Sequence, residues 1–326
     1  MSSRTLTALC WGLAAIWGLW ALMRLTGLER GFPLVPMMAY TPYMALAAVV
    51  PVAIAVSLRR LLPAVLAGAA GLYLIFAVLP RAIPDGEATE PLGGPTVDVI
   101  SANIFRGEGN LRELVRLARQ RKADLLFVQE LTPSSAAELR RLGIAKTMPH
   151  AVLAVQRSAF GGGIYSRLPL RRLPAAPGTA LRMPRASVAV PGYGRLRMVD
   201  VHPYPPTGRV TVGYWKDGLR SLPAAGGGPP WLLAGDFNAT LDHAELRRVL
   251  DSGFRDAADV QGKGLKMTWS ARRSIPPPVA IDHVLADERI AVTDFAVEDL
   301  PASDHHPIYA QLSLPKAEPG RRKANG

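Results

Sequence analysis

The stretch Trp231-Leu-Leu-Ala-Gly-Asp-Phe-Asn-Ala-Thr240 decides how the chain is read. An apolar run ends in Gly235, and a carboxylate and an amide follow two residues apart. Residues i and i+2 of an extended segment point the same way, so Asp236 and Asn238 are expected to face one site at the end of a buried strand. A carboxylate accepts hydrogen bonds or holds a cation, whereas an amide both donates and accepts. Hydrolysis of a phosphate ester uses such a pair, one group orienting the nucleophile and the other holding the phosphoryl oxygens. The same residues also suit a strand that ends in an Asx-type turn, where Asp and Asn are common. The stretch alone does not choose between a site and a turn.

Strand ends of the same kind recur on both sides of it. Asn103 follows an apolar run in Ser101-Ala-Asn-Ile-Phe105, Glu130 ends Val128-Gln-Glu130, and His202 ends Val199-Asp-Val-His-Pro203. Asp282 and His283 lie in Ala280-Ile-Asp-His-Val-Leu285, and Asp304 and His305 in Ala302-Ser-Asp-His-His-Pro-Ile308. Singly, each fits a cap, a loop or a solvated face. Together they form a set of hard oxygen donors without cysteine, which suits Mg²⁺, Mn²⁺ or Ca²⁺. Histidines beside carboxylates suit general-base activation of water.

The pattern between these points alternates strand and helix. Strands are expected at residues 96–101, 124–130, 151–155, 162–165, 186–190, 196–201, 231–234, 280–286 and 308–314. Helices are expected at 110–121 with Asn110 as N-cap, from Thr132-Pro133 onward, at 212–222 and at 243–250. So many short strands with helices between them predict packed sheets with helices outside.

Three long uncharged runs precede this part, at residues 5–23, 35–58 and 61–80. Each matches the roughly 20 residues a helix needs to cross a bilayer. One cleaved signal peptide does not account for three. Trp11, Trp17, Trp20, Tyr40 and Tyr43 are candidate interfacial aromatics. With the N-terminus inside, Arg4, Arg59 and Arg60 lie on the inner side and Arg24, Arg30 and Arg81 on the outer. The tie is tilted by the compact Arg59-Arg60 pair and the free amino group, which favour a cytoplasmic N-terminus. A multi-pass protein of the cell membrane with its remainder outside the cytoplasm is therefore expected. The predicted divisions are a three-helix anchor over 1–82, a Pro/Gly linker over 83–95, a body over 96–314 and a disordered basic tail over 315–326.

The formal net charge of the 326 residues is +12, but the first 84 residues hold six arginines against Glu29 alone, and the tail adds four basic residues against Glu318. The body is only mildly basic, so charge by itself does not point to nucleic acid. The lone cysteine, Cys10, lies in the first apolar run. That excludes an intramolecular disulfide, and a thiolate site or cysteine nucleophile in the body.

The motifs at 101–104, 128–130, Gly163-Ile-Tyr-Ser-Arg-Leu-Pro-Leu170, Val201-His202, Gly235-Asp-Phe-Asn-Ala239, Ile281-Asp-His283 and Ser303-Asp-His-His-Pro-Ile308 occur in one order. In that order and spacing, residues 96–314 resemble the endonuclease/exonuclease/phosphatase superfamily, the deoxyribonuclease I and apurinic endonuclease group. The resemblance implies a four-layer α/β sandwich of two packed mixed sheets. It implies Glu130 as the principal Mg²⁺ ligand, with Asn103 beside it and Asp304 near it; Mn²⁺ or Ca²⁺ can take the same place. It implies that His305, oriented by Asp282, bonds the attacking water or the phosphate, and that Asp236 positions or activates the water. Asn238 and His202 are implied to bind phosphate oxygens, with Arg185 and Tyr165 as further phosphate contacts. His283 and His306 are expected to be structural, since a neighbour on a strand points the other way. The leading expectation is a membrane-anchored nuclease, with Arg167, Arg171, Arg172, Arg182, Arg185, Arg195 and Arg197 following a DNA or RNA backbone. The alternatives are a lipid or other phosphoester hydrolase, which the anchor holds near headgroups, and a non-catalytic anchored module. The module should have lost metal or histidine positions, and none is lost.

Overall fold

The computed structural model describes residues 2–176, 181–269 and 276–316. The uncharged N-terminal runs form helices α1 (Ser3–Thr26), α2 (Leu34–Met37), α3 (Thr41–Ala47), α4 (Val49–Ser57) and α5 (Leu61–Val78). By length and composition, Ser3–Thr26 and Leu61–Ala82 can each cross a membrane. The middle run, expected as one helix, is instead broken, with Leu34–Ala47 and Val49–Ser57 meeting at a 44° bend. Pro36, Pro42 and Pro51 explain the breaks, because proline lacks the N–H a helix interior needs and crowds the preceding turn. All but four of the exposed large hydrophobic side chains precede Pro84. An apolar surface of that extent is suited to contact with lipid or protein rather than water.

The aromatic residues of these helices do other work than expected. Trp20 Nε1 donates to Thr41 Oγ1 (3.1 Å) and Trp17 Nε1 to the Met44 carbonyl (2.9 Å), so both tie α1 to the middle segment. Tyr43 Oη donates to the Pro278 carbonyl across to the body (2.7 Å). Of the two remaining candidates, only Trp11 faces outward.

Residues 83–95, expected as a linker, pack on the body. The segment forms the short helix α6 (Gly86–Thr89), buries Ala88 in the core between the sheets, and bonds Asp85 N–H to the Val260 carbonyl (2.8 Å). The first strand accordingly begins earlier than predicted. The body then runs β1 (Gly93–Asn103), α7 (Leu111–Gln120), β2 (Leu125–Gln129), α8 (Pro133–Arg141), β3 (His150–Ala154), β4 (Gly162–Ser166), β5 (Leu170–Arg172), β6 (Arg185–Val190) and β7 (Gly194–Val201). It continues α9 (Arg209–Arg220), β8 (Trp231–Asp236), α10 (Ala244–Leu250), β9 (Phe254–Asp256), α11 (Ala257–Val260), β10 (Asp282–Asp287), β11 (Ala291–Val297) and β12 (Ile308–Pro315). The expected tail falls outside the described residues, apart from the end of β12 and Lys316.

Two six-stranded sheets result, ordered β11-β12-β1-β2-β4-β3 and β5-β6-β7-β8-β10-β9. Each has one parallel pair, β1 with β2 and β7 with β8, among antiparallel neighbours. Val99, Phe127 and Ile164 of the first sheet meet Met198, Leu232 and Val284 of the second in the central layer. Helices α7 and α8 cover the outer face of the first sheet against Leu126 and Val128, and α9 and α10 cover the second against Val199 and Leu233. Both faces of the central strands are buried, which is why they read as unbroken apolar runs. Each such side chain contributes ~1.5–3 kcal/mol by leaving water. The architecture is the expected four-layer α/β sandwich.

The N-terminal helices are bolted to this body by charge. Arg81 grips Asp242 with two bonds (Nη1 to Oδ2 2.8 Å, Nη2 to Oδ1 2.6 Å), and Arg24 Nε adds a third to Oδ1 (2.7 Å). Asp242 is fully buried. At the opposite end of the helices, Arg60 Nη2 reaches Ser3 Oγ (2.6 Å).

Candidate active site

Parallel pairing places the C-terminal ends of β1, β2, β7 and β8 at one rim, where open α/β sheets bind ligands. Asn103 closes β1 and Glu130 follows β2; His202 follows β7 and Asp236 closes β8. Gly235 is needed for the last placement. It has φ 152°, and a Cβ there would lie 1.9 Å from the Val201 carbonyl oxygen. Only glycine lets β8 come this close to β7 and bring Asp236 beside His202. Asp282 is the register partner of Asp236 across β8 and β10. The loop before β12 delivers Asp304 and His305.

These side chains converge on one oxygen. Asp236 Oδ2 accepts from Asn103 Nδ2 (3.1 Å) and stands 3.6 Å from His305 Nε2 and 3.7 Å from His202 Nε2. The last two separations exceed a direct hydrogen bond and leave space for a reacting oxygen to approach. His305 Nδ1 pairs with Asp282 (2.9 Å to Oδ2, 3.1 Å to Oδ1). Asp282 is in turn fixed by Thr268, whose hydroxyl donates to Oδ2 (2.7 Å) and accepts the Asp282 N–H (3.1 Å). Asn103 Nδ2 also donates to Glu130 Oε1 (3.2 Å), and Trp269 Nε1 donates to Asp304 Oδ2 (3.2 Å). Backbone φ is positive at Glu130 (60°) and Asn238 (49°), a conformation that costs energy and concentrates at functional sites.

The turn and the site proposed for Asp236 and Asn238 are one structure. Asp236 Oδ1 accepts the Asn238 N–H (2.8 Å), an Asx-type turn, and the chain leaves the strand there. Asn238 is thus not the extended i+2 neighbour assumed from the sequence, yet both residues line the same cleft.

Electrostatics separate the two cleft histidines. Burial, helped by the charge on His305, holds His202 down at about 4, so it is neutral near pH 7. Burial also disfavours charge on His305, but the Asp282 and Asp236 carboxylates outweigh it and raise its pKa. Asp236 is raised by burial, against the pull of His305. Burial likewise raises Glu130, Asn103 opposes it, and nearby Asp304 adds to the rise.

Two predicted phosphate contacts are not brought in. Tyr165 is buried in the helix-side core with Leu126 and Leu153, because alternation on β4 points it away from the rim, and burial pushes its pKa up to about 12. Arg185 extends from β6 to the Ser221 carbonyl at the end of α9 (2.7 Å) and does not line the cleft. His283 and His306, expected to be structural, do not line the cleft. His283 bonds Asp256 Oδ2 and the Ala239 carbonyl (2.8 Å each), and His306 pairs with Asp299 (3.2 Å). Sequence reading missed Thr268 and Trp269, which sit in Met267-Thr-Trp-Ser270 with no apolar periodicity to mark them. The Gln129–Asp200 link between the two sheets (2.6 Å) was also missed, although each partner stands within two residues of a predicted site residue.

The sequence profile of the Endonuclease/Exonuclease/phosphatase family matches residues 100–305, more than half of the chain. The chain belongs to that family. Enzymes of the endonuclease/exonuclease/phosphatase family use divalent metals, and the ligand atoms of Asp236, Asp282 and His305 lie within 4.8 Å of one another. No curated protein matches the chain. Among solved structures, an endonuclease/exonuclease/phosphatase from Beutenbergia cavernae is 21% identical with a TM-score of 0.53, covering 68% of this chain and 72% of that one. Humanized TDP2 of D. rerio is 19% identical with a TM-score of 0.52, covering 67% and 98%. D. rerio TDP2 complexed with a single-strand DNA product is 18% identical with a TM-score of 0.51, again covering 67% and 98%. At these identities the likeness is one of fold.

Proposed function

We propose that the chain is a membrane-anchored, divalent-metal-dependent phosphoester hydrolase. The observation that carries this reading is the convergence of Asn103, His202 and His305 on Asp236 Oδ2. Glu130, Asn103 and Asp304 fit the metal. Asp304 Oδ1 is buried without a hydrogen-bond partner, and Glu130 lies near it with a raised pKa, a pair of carboxylates short of positive charge. The acid–histidine triplet of Asp236, Asp282 and His305 fits less well, because Asp282 already occupies His305 Nδ1. A bound Mg²⁺, Mn²⁺ or Ca²⁺ supplies charge to stabilise the phosphoryl oxygens.

Asp236, raised toward neutrality, takes one proton from a water held between the two imidazoles. The water oxygen bonds to phosphorus while the bond to the leaving oxygen breaks. The leaving oxygen keeps that electron pair and takes a proton from solvent. Protonated His305, aligned by Asp282 and Thr268, and neutral His202 donate to the oxygens where negative charge grows. Asn238 serves the same oxygens. The Arg59-Arg60 loop and the N-terminus share the end of the helices away from the body, and the compact arginine pair with the free amino group favours that end as the cytoplasmic one.

The test is hydrolysis of bis(4-nitrophenyl) phosphate by the full chain in detergent, with each metal and with chelator. Glu130→Gln and His305→Ala should each lose the metal-dependent rate. Wild-type rates in both variants would remove the assignment.

A further inference from the structure

The catalytic cleft, about 360 Å³, is walled on one side by Pro36, Ala39 and Tyr40 of the anchor. Leu181, Val279 and Ile281 continue the apolar wall from the body. No lysine or arginine occurs among the described residues that line it. Four of the seven arginines expected to follow a nucleic-acid backbone bond elsewhere, Arg185 among them. Arg167 pairs with Asp124 (3.6 Å), Arg197 stacks on Trp231 with its guanidinium 4.4 Å from the ring centre, and Arg172 bonds the Leu153 carbonyl (3.1 Å). A polyanion is held by cations along its track, and no described lining residue of this cleft supplies a guanidinium or an ammonium group. Phe160, at the mouth, begins an aromatic ladder through Tyr204 to Tyr214, with 5.4 Å between successive ring centres. Phe160, Tyr214 and nearby Val210 are exposed. Apolar and aromatic side chains therefore line the cleft from the N-terminal segment to this ladder.

We propose that the anchor segment 36–40 is a specificity-determining part of the active site, and that the substrate is a phosphoester borne on an aliphatic chain and presented from a bilayer. The proposal rests on the hydrolase reading above. The phosphate sits among His202, Asp236 and His305, and the chain lies along Ala39 and Tyr40. The grip of Arg24 and Arg81 on Asp242 and the bond from Tyr43 to the Pro278 carbonyl hold this wall against the body, so the cleft keeps its shape. A water-soluble phosphoester gains nothing from the wall, whereas a few methylenes buried on it are enough for a tenfold preference.

The experiment compares methyl and hexadecyl 4-nitrophenyl phosphate, which share a leaving group, and a single-stranded oligonucleotide. The full chain is reconstituted in detergent micelles with Mg²⁺ or Mn²⁺. We expect kcat/KM to be about tenfold or more higher for the hexadecyl ester. Ala39→Trp, which fills the wall, should cut that ratio several-fold, and Tyr40→Ser should lower it too, so that micelle partitioning alone does not explain the preference. A ratio near one, a ratio that neither variant moves, or faster cleavage of the oligonucleotide would overturn the proposal and leave the hydrolase reading standing. No cleavage of any of the three, with metal present, would overturn both.

Discussion

Asp236 and Asp242 stand six residues apart and are both buried, yet their surroundings treat them in opposite ways. Burial raises Asp242 as it raises Asp236, but two bonds from Arg81 and the charge of Arg24 outweigh it and hold Asp242 below the usual carboxylate range. For Asp236 burial prevails over the pull of His305, and the carboxyl is left raised. The first is a rivet, with its charge spent on holding the N-terminal helices. The second keeps its proton affinity available for chemistry. Burial alone therefore does not mark a catalytic carboxylate; what matters is whether the fold has already neutralised it.

The comparison breaks most sharply at Asp242. Replacing it by alanine strands the buried Arg81 guanidinium and the half-buried one of Arg24, and the loss of one partner from a buried pair costs about 3–5 kcal/mol. Thermal unfolding in detergent should show a correspondingly large fall in Tm. A Tm unchanged within error would mean that the anchor is not held this way. The reverse signature is expected at His305→Ala. There kcat falls about 10²–10³-fold while Tm moves little, as steady-state rates and unfolding on the same preparation will show.

A smaller effect separates positioning from catalysis. Thr268→Val removes the hydroxyl that holds Asp282 but leaves His305 in place. We expect about a tenfold loss in kcat, with KM nearly unchanged, consistent with one hydrogen bond of ~1 kcal/mol. A large rise in KM instead would place Thr268 in substrate binding. The acid limb of stability sharpens the rivet. Because the folded pKa of Asp242 is depressed, its contribution is fully present above the ordinary carboxylate value and is lost as pH falls through the folded one. The Tm gap between wild type and Asp242→Asn should be constant above about pH 5 and narrow only below about pH 4. The smallest effect belongs to Tyr165→Phe, which should leave hydrolysis unchanged and stability within ~0.5 kcal/mol. Any marked loss of rate would return Tyr165 to the phosphate.

Much of the site was legible because catalysis puts polar groups where a buried strand should end in a turn. Asn103, Glu130, His202 and Asp236 each interrupt an apolar run, and that contrast survives in one dimension. The unread parts lack it. Strand β11 is an edge strand with an irregularity between Val292 and Asp294, so its alternation is broken. Strands β5 and β9 have three residues each, too few to show a period. Arg24 and Arg81 were read as markers of membrane orientation, because nothing local reveals a partner more than a hundred residues away. The position of Tyr165 on the wrong face follows from strand alternation, and the family resemblance obscured it.

The order of strands in the first sheet has a consequence for synthesis. β12, the last of the described strands in chain order, lies between β11 and β1 rather than at an edge. The loop that carries Asp304 and His305 is anchored by that same strand. On a ribosome, the helices, both parallel pairs and Asp236 all emerge while the gap beside β1 is still open. A chain that stops short of this loop therefore holds Asn103, Glu130, His202 and Asp236 but lacks Asp304 and His305, and on the proposed reading the cleft is complete only once β12 is inserted.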